Sequence, residues 1–139
     1  MNRFVQAWLG YLVVTFIVAA VWHLVLFKSL YEQLAVFTRA EPIIWLGVLS
    51  MVLQGAVMAY LFPVFWRKGN PLAAGVLLGL LLGVFMGSNA VLGEAGKNEV
   101  SSLPTWIVLE SVFYLLHGAL AGLAVGFLSS RGQSPRSGA

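Results

Sequence analysis

Four glycines recur at every fourth position of one long apolar segment, and this spacing limits how the chain can fold. The segment contains Gly75, Gly79, Gly83 and Gly87. In water each glycine would weaken a helix by about 1 kcal/mol relative to alanine. In a bilayer the backbone must satisfy its own hydrogen bonds, so the segment stays helical and the glycines form a flat groove for a neighbouring helix. The pattern predicts a glycine zipper in a membrane protein.

A second glycine line with the same spacing lies near the end of the chain. Gly118, Gly122 and Gly126 are again four residues apart within an apolar run. We expect both lines to be helix-packing surfaces, because small residues let membrane helices approach closely.

The composition places the whole chain in the membrane class. Of its 139 residues, 60% are hydrophobic and 9% are charged, whereas a soluble domain usually has about 25% charged residues. The chain has no cysteine, which excludes disulfides and thiolate metal sites. The basic residues behind its net charge of +3 lie between or beyond the apolar segments and form no run longer than two. We therefore interpret them as orienting the protein in the lipid bilayer and expect no nucleic-acid partner.

Four apolar segments are long enough to cross a bilayer, which takes about 20 residues. They cover about residues 4–27, 43–66, 71–93 and 103–128. The first is too long to be a signal-peptide core, which has roughly 7–15 residues. We predict an all-α, polytopic transmembrane four-helix bundle as a single domain over residues 1–128, followed by a flexible C-terminal tail over residues 129–139.

The segment between the first two spans predicts a short helix in the membrane interface. Ser29 and Glu32 have the spacing of a capping box, and Leu30, Leu34 and Phe37 then share a helical face. Such a helix would lie on the membrane surface because the segment is too polar to cross it.

Aromatic residues mark the ends of the first span. Trp8 and Tyr11 lie near one end and Trp22 near the other, which are the positions that interfacial aromatics prefer. Thr15 and His23 lie on a line with Ala19 at helical spacing, so we expect them to face the bundle interior.

The distribution of basic residues predicts the orientation. Five lie at one end of the predicted spans and three at the other, namely Arg3, Arg67, Lys68, Arg131 and Arg136 against Lys28, Arg39 and Lys97. Because basic residues concentrate on the cytoplasmic side, we expect a multi-pass inner-membrane protein with both termini in the cytoplasm.

Polar side chains within the spans form the candidate ligand or ion site, and the outer layer of this site contains His23, Asn89 and Glu110. A rise of about 1.5 Å per residue places these three at a similar depth. A carboxylate inside a membrane is expensive unless it has a partner. We expect Glu110 to contact His23 directly or through Asn89, in space left by Gly87.

The central layer of the candidate site contains Gln54 and His117, both near the membrane midplane. Tyr114 joins the site because it lies on the same stripe of the fourth helix as Glu110 and His117. The Gly118 line lies on a different face of that helix, so we expect the fourth helix to contact two neighbours.

The sequence contains no set of residues that would form a catalytic site or a metal-ligand cluster. We therefore expect no enzymatic activity, no cofactor and no bound metal. His23 and His117 differ in depth by about 13 Å, which is too far for two axial ligands of one haem.

One short segment resembles a known group of proteins. Val21-Trp22-His23 followed by Phe27-Lys28, within a chain of four short spans, resembles small four-span bacterial membrane proteins of unknown function. The resemblance implies a bacterial inner-membrane setting and supplies no activity or functional residue.

Two functions from different classes fit these observations. We predict a non-enzymatic integral membrane protein that binds a hydrophobic ligand or another membrane subunit, with a homo-oligomer as a further option. The alternative is a small proton- or ion-coupled transporter that uses Glu110 and His23. A purely structural role for these two residues stays open, because an ion pair can simply fix the register of two helices.

Overall fold

The computed structural model describes residues 2–35, 39, 41 and 43–131, and this part of the chain is helical without a strand. The helices are α1 (Arg3–Leu26), α2 (Lys28–Leu34), α3 (Ile44–Phe65), α4 (Pro71–Gly93) and α5 (Leu103–Ser130). All except α2 are long and apolar enough to cross a membrane. The predicted all-α bundle of four membrane-spanning helices is confirmed.

The bounds of the four long helices differ from the predicted spans by no more than two residues. Helix α5 continues beyond its predicted end, through Ser130, into the predicted tail. The remainder of that tail, residues 132–139, lies outside the described residues.

Large apolar side chains cover the outside of the bundle. Val25 and Ile44 are each 72% exposed, and Phe85 is 75% exposed. A water-soluble protein rarely exposes apolar side chains over so continuous a surface. These helices therefore present the surface of an integral membrane protein to lipid.

The closest helix pair is α4 with α5, and glycines on the two helices meet backbone to backbone. A Cβ atom added to Gly79 would collide with the carbonyl oxygen of Gly118, and one added to Gly118 would collide with that of Gly79. Gly75 and Gly122 oppose each other in the same way. The two helices run antiparallel with their backbones in contact, as small residues allow in membrane proteins.

The remaining glycines of the first line contact Tyr114 of α5. A Cβ atom added to Gly83 would lie 2.6 Å from the Tyr114 carbonyl oxygen, and one added to Gly87 would lie 2.9 Å from the Tyr114 Cβ. The prediction that Gly87 leaves room for the Glu110 carboxylate is therefore wrong. Tyr114 fills that space, and Glu110 instead accepts a hydrogen bond from Tyr31 of α2.

Helix α3 packs mainly on α1. The Trp8 indole Nε1 donates to the Val52 carbonyl at 3.0 Å, and a Cβ atom added to Gly55 would lie 2.7 Å from Cδ1 of Tyr11. The first part of α3, residues 44–50, is exposed throughout. Because α3 makes few contacts with α4, a gap separates these two helices.

Helix α2 lies against the end of the bundle formed by the last turns of α1 and α4. Its Tyr31 and Leu34 side chains are 6% and 2% exposed. The Leu34 carbonyl accepts hydrogen bonds from the backbone N–H and the hydroxyl of Ser101, at 3.2 and 3.3 Å. The connection before α5 therefore holds α2 in place.

The local details of α2 differ from the prediction. The helix begins at Lys28, and its N-cap residue, Phe27, has no side-chain hydrogen bond. The predicted capping box of Ser29 and Glu32 is wrong, because Ser29 lies inside the helix. Phe37, the last residue of the predicted apolar face, lies outside the described residues.

Helices α1 and α4 both finish in a π-helical turn at the same end of the bundle, over Val21–Leu26 and Ser88–Gly93. Such turns are wider than an α-helical turn and often occur at functional sites. The Trp106 indole Nε1 of α5 donates to the Val91 carbonyl within the second turn at 3.0 Å. The sequence did not predict either π turn.

The backbone contact between α4 and α5 predicts that Gly79→Ala destabilises the protein, because the added methyl group meets the Gly118 carbonyl. Overpacking of this kind costs about 1–3 kcal/mol. Gly47→Ala is the matched control, since a Cβ atom added to Gly47 in α3 meets no neighbouring element within 4 Å. Thermal unfolding in detergent should show a lower midpoint for Gly79→Ala alone. Equal midpoints for the two variants would contradict the close contact.

Candidate functional site

The first polar cluster lies beneath α2 and connects three helices. The Trp22 indole Nε1 donates to the Tyr31 hydroxyl at 3.1 Å, and that hydroxyl donates in turn to Oε1 of Glu110. Trp22 is 7% exposed and Glu110 is 6% exposed. The cluster therefore gives the buried carboxylate a hydrogen-bond donor, as a polar group in this environment requires.

Tyr31 joins both parts of this hydrogen-bond chain and lies in α2, outside the membrane-spanning helices. Burial raises the pKa of its hydroxyl above the ordinary value, and the hydrogen bond to Glu110 raises it further. The phenol therefore keeps its proton at physiological pH and stays a donor to Glu110.

The predicted contact between His23 and Glu110 is not formed: no hydrogen bond or ion pair joins them within the part of the chain that the structure describes. The His23 ring packs edge-on against the Tyr31 ring, with centroids 4.7 Å apart, and lies 4.6 Å from the Phe113 ring centroid. Its Nδ1 atom is buried and has no hydrogen-bond partner among the described residues. His23 and Glu110 thus meet through Tyr31, which the sequence analysis did not include.

Asn89 does not take part in the first cluster. It lies in the π turn of α4, where it is exposed. Its carboxamide lies near Gly93, where an added Cβ atom would be 3.2 Å from Oδ1 of Asn89. The wide turn places this side chain on the outside of the bundle. The similar depth predicted for His23, Asn89 and Glu110 therefore did not bring them together.

The second polar cluster lies near the middle of the spans, where α1 meets α3 and α5. Oγ1 of Thr15 and Nε2 of His117 are 2.8 Å apart and form a hydrogen bond. The Tyr11 hydroxyl donates to Oε1 of Gln54 at 3.0 Å, and the Tyr11 ring lies edge-on to His117 with centroids 5.9 Å apart. Gln54 and His117 are thus brought into one cluster through Tyr11.

Two of the three aromatic residues predicted to lie at the membrane interface are buried instead, namely Tyr11 and Trp22. Tyr11 is 4% exposed and Trp22 is 7% exposed, so neither faces a membrane interface as predicted. Both face the bundle interior and use their polar atoms on partners in other helices. Thr15, by contrast, faces inward as its line with His23 indicated, and it is 4% exposed.

A cavity of about 240 Å³ opens between α3 and α4 beside the second cluster. Gln54, Tyr114 and His117, three residues of the predicted site, are among those that line it. Its rim includes Leu53 and Phe85, which are 59% and 75% exposed. We call this cavity the α3–α4 cleft.

Two polar atoms on residues of the α3–α4 cleft have no hydrogen-bond partner among the described residues. They are the Tyr114 hydroxyl and Nδ1 of His117, whose Nε2 is already bonded to Thr15. Neither is fully buried, since the Nδ1 atom of His23 is the one buried side-chain polar atom left without a partner in the described part of the chain.

The described residues contain no group of three or more His, Cys, Asp or Glu side chains that could hold a metal ion. Comparison with protein-family models, with curated proteins and with solved structures finds no match for this chain. Any function must therefore be argued from the geometry of the two clusters and the cleft.

The Tyr31 hydrogen bonds predict that Tyr31→Phe destabilises the protein, because Trp22 and Glu110 both lose a partner. A buried polar group left without a partner costs about 1–3 kcal/mol. Tyr60→Phe is the matched control, since Tyr60 is 69% exposed. Chemical unfolding in detergent should show a loss for Tyr31→Phe only.

A double-mutant cycle identifies the bonded pair. Tyr31→Phe combined with Glu110→Gln should cost less than the sum of the single changes, because groups in direct contact are energetically coupled. Simple additivity would show that the hydroxyl and the carboxylate do not interact.

Proposed function

We propose that this integral membrane protein binds a small apolar ligand in the α3–α4 cleft and carries out no catalysis itself. The observation that supports this most is an apolar cleft that opens between α3 and α4 and is lined by Gln54, Tyr114 and His117 among others. The preferred ligand is an apolar molecule, because nearly all of the accessible lining is apolar.

The position of the cleft favours a ligand that dissolves in the bilayer. Gln54 lies at the middle of α3, and His117 lies near the middle of α5, so the cleft is at the depth of the membrane midplane. It opens to the surface between α3 and α4, where Leu53 and Val57 are 59% and 53% exposed. A ligand can enter sideways from lipid without crossing an aqueous compartment.

The size of the cleft favours a small ligand over a second membrane subunit. Sites that enclose a drug-sized molecule have volumes of about 300–1,000 Å³, and the α3–α4 cleft has about 240 Å³. It can hold a ring or part of a chain, with the rest of the ligand in the bilayer. A partner subunit or a second copy of this chain would need a longer surface than the cleft offers.

The cellular setting is a further part of the proposal. We place the protein in a bacterial inner membrane with both termini in the cytoplasm. The support is the excess of basic residues at the end of the bundle that contains Arg3, Arg67 and Lys68.

We expect Val57→Trp to abolish ligand binding in the cleft, because the indole fills space between α3 and α4. Val48→Trp is the control, since Val48 is 45% exposed on the same helix and lies outside the cleft. Each protein is purified in mild detergent, extracted with organic solvent and analysed by mass spectrometry. A species enriched over the parent membrane should be at least fivefold lower in Val57→Trp alone.

Two results would overturn the ligand proposal. One is the absence of any enriched species in the unchanged protein. The other is equal retention of the species by the Val57→Trp and Val48→Trp variants, which would locate it on the outer surface.

A proton- or ion-coupled transporter is the second candidate, and the burial of Glu110 favours it. Ionisable residues within membrane spans are costly and commonly mark ion pathways. The Tyr31 hydroxyl connects this carboxylate to α2, whose Lys28 and Glu32 side chains are exposed. Such a carboxylate could exchange a proton with water if α2 moved away from the bundle end.

Reconstituted vesicles test the transporter candidate. It predicts that a pH gradient across vesicles containing the protein collapses at least twice as fast as in empty vesicles. Glu110→Gln should abolish this difference, whereas Glu99→Gln, a change at an exposed residue, should preserve it. Equal decay in protein-containing and empty vesicles would exclude proton transport and leave the ligand proposal untouched.

A further inference from the structure

A second apolar groove runs along the outside of the bundle between α1 and α5, and it differs from the α3–α4 cleft in having a cation at its end. The groove has a volume of about 710 Å³, and its lining includes Gln6, Leu9, Val13, Phe127, Leu128 and Arg131. We call it the α1–α5 groove.

The walls of this groove are apolar and face lipid. Leu9 and Val13 on α1 are 41% and 58% exposed, and Phe127 on α5 is 45% exposed. From Gln6 to Val13 the groove extends along α1 for about 10 Å at the rise of a helix. An acyl chain of a membrane lipid fits such a surface, because both helices pass through the bilayer.

Arg131 lies where the groove meets the membrane surface. Its guanidinium carbon is 4.4 Å from the centroid of the Phe127 ring, so the side chain folds back over the groove and stacks on the ring. The carboxamide of Gln6, also part of the lining, supplies further hydrogen-bonding atoms at the same end. A guanidinium beside an amide is well suited to bind a phosphate group.

The charges at this end of the bundle are of one sign. Arg3, Arg67, Lys68 and Arg131 lie there. The five acidic residues of the chain are Glu32, Glu41, Glu94, Glu99 and Glu110, and none belongs to this end. The local field therefore favours an anionic headgroup over a zwitterionic one.

We infer that the α1–α5 groove binds one anionic phospholipid, with an acyl chain along Leu9 and Val13 and the phosphate at Arg131. The inference does not depend on the ligand proposed for the α3–α4 cleft. Residues 132–139 have the sequence Gly-Gln-Ser-Pro-Arg-Ser-Gly-Ala. This segment has no large apolar side chain, so its composition gives no reason for it to fill the groove.

Native mass spectrometry in detergent tests the inference with two probes of equal acyl chains, phosphatidylglycerol and phosphatidylcholine. The unchanged protein should bind the first at least fivefold more than the second. Arg131→Gln should reduce this preference below twofold. Arg67→Gln is the matched control, because it removes the same charge at the same end of the bundle but outside the groove, and it should keep the preference.

A second pair of variants tests the groove itself. Val13→Trp should lower the binding of both lipids, because the indole occupies the path of the acyl chain. Val108→Trp should have no effect, since Val108 is 64% exposed on α5 and lies outside the groove. Thermal unfolding without added lipid, with the same midpoint in all variants, would show that the changes act on binding.

Four results would overturn the inference. Equal binding of the two lipids by the unchanged protein would remove the anionic preference, and equal losses in Arg67→Gln and Arg131→Gln would show a diffuse effect of charge. Glycerol phosphate binding as tightly as the lipid would show a site for a free anion. A change from dimer to monomer in Val13→Trp would assign the groove to a second copy of the chain.

Discussion

The backbone contact between α4 and α5 determines where the other helices can pack. Gly79 and Gly118 bring the two helices so close that no side chain fits between them. One face of α5 therefore packs on α4. Its other buried face, with Glu110 and His117, contacts α1 and α2. Both polar clusters form on that second face.

Hydrophobicity and glycine spacing were sufficient to predict the architecture, because each depends on the local sequence. The four spans follow from the length of apolar segments. The candidate site depends on contacts between distant segments and could be predicted only in part. Gln54, Tyr114 and His117 do line one cleft. Leu34 of the predicted apolar face of α2 is buried, but the same pattern gave no reason to include Tyr31, the partner of Glu110.

Aromatic residues and π turns account for most of what the sequence could not show. Tyr and Trp have an apolar body and a polar atom, so their position in a span suits a membrane interface and a buried hydrogen bond equally well. A π turn changes which residues of a helix share a face. One such turn contains Trp22 and His23, and the other contains Asn89. Depth along an ideal helix therefore could not tell which way each side chain points.

The gap between α3 and α4 opens to lipid, and this determines the units in which an affinity for the cleft should be given. A molecule that enters between these helices comes from the hydrocarbon core, so its concentration there depends on how strongly it partitions out of water. The dissociation constant is then given as a mole fraction of ligand in the lipid. A weak intrinsic affinity is enough for high occupancy of the cleft when the ligand accumulates in the membrane, and the same protein would lose that ligand on dilution into detergent micelles.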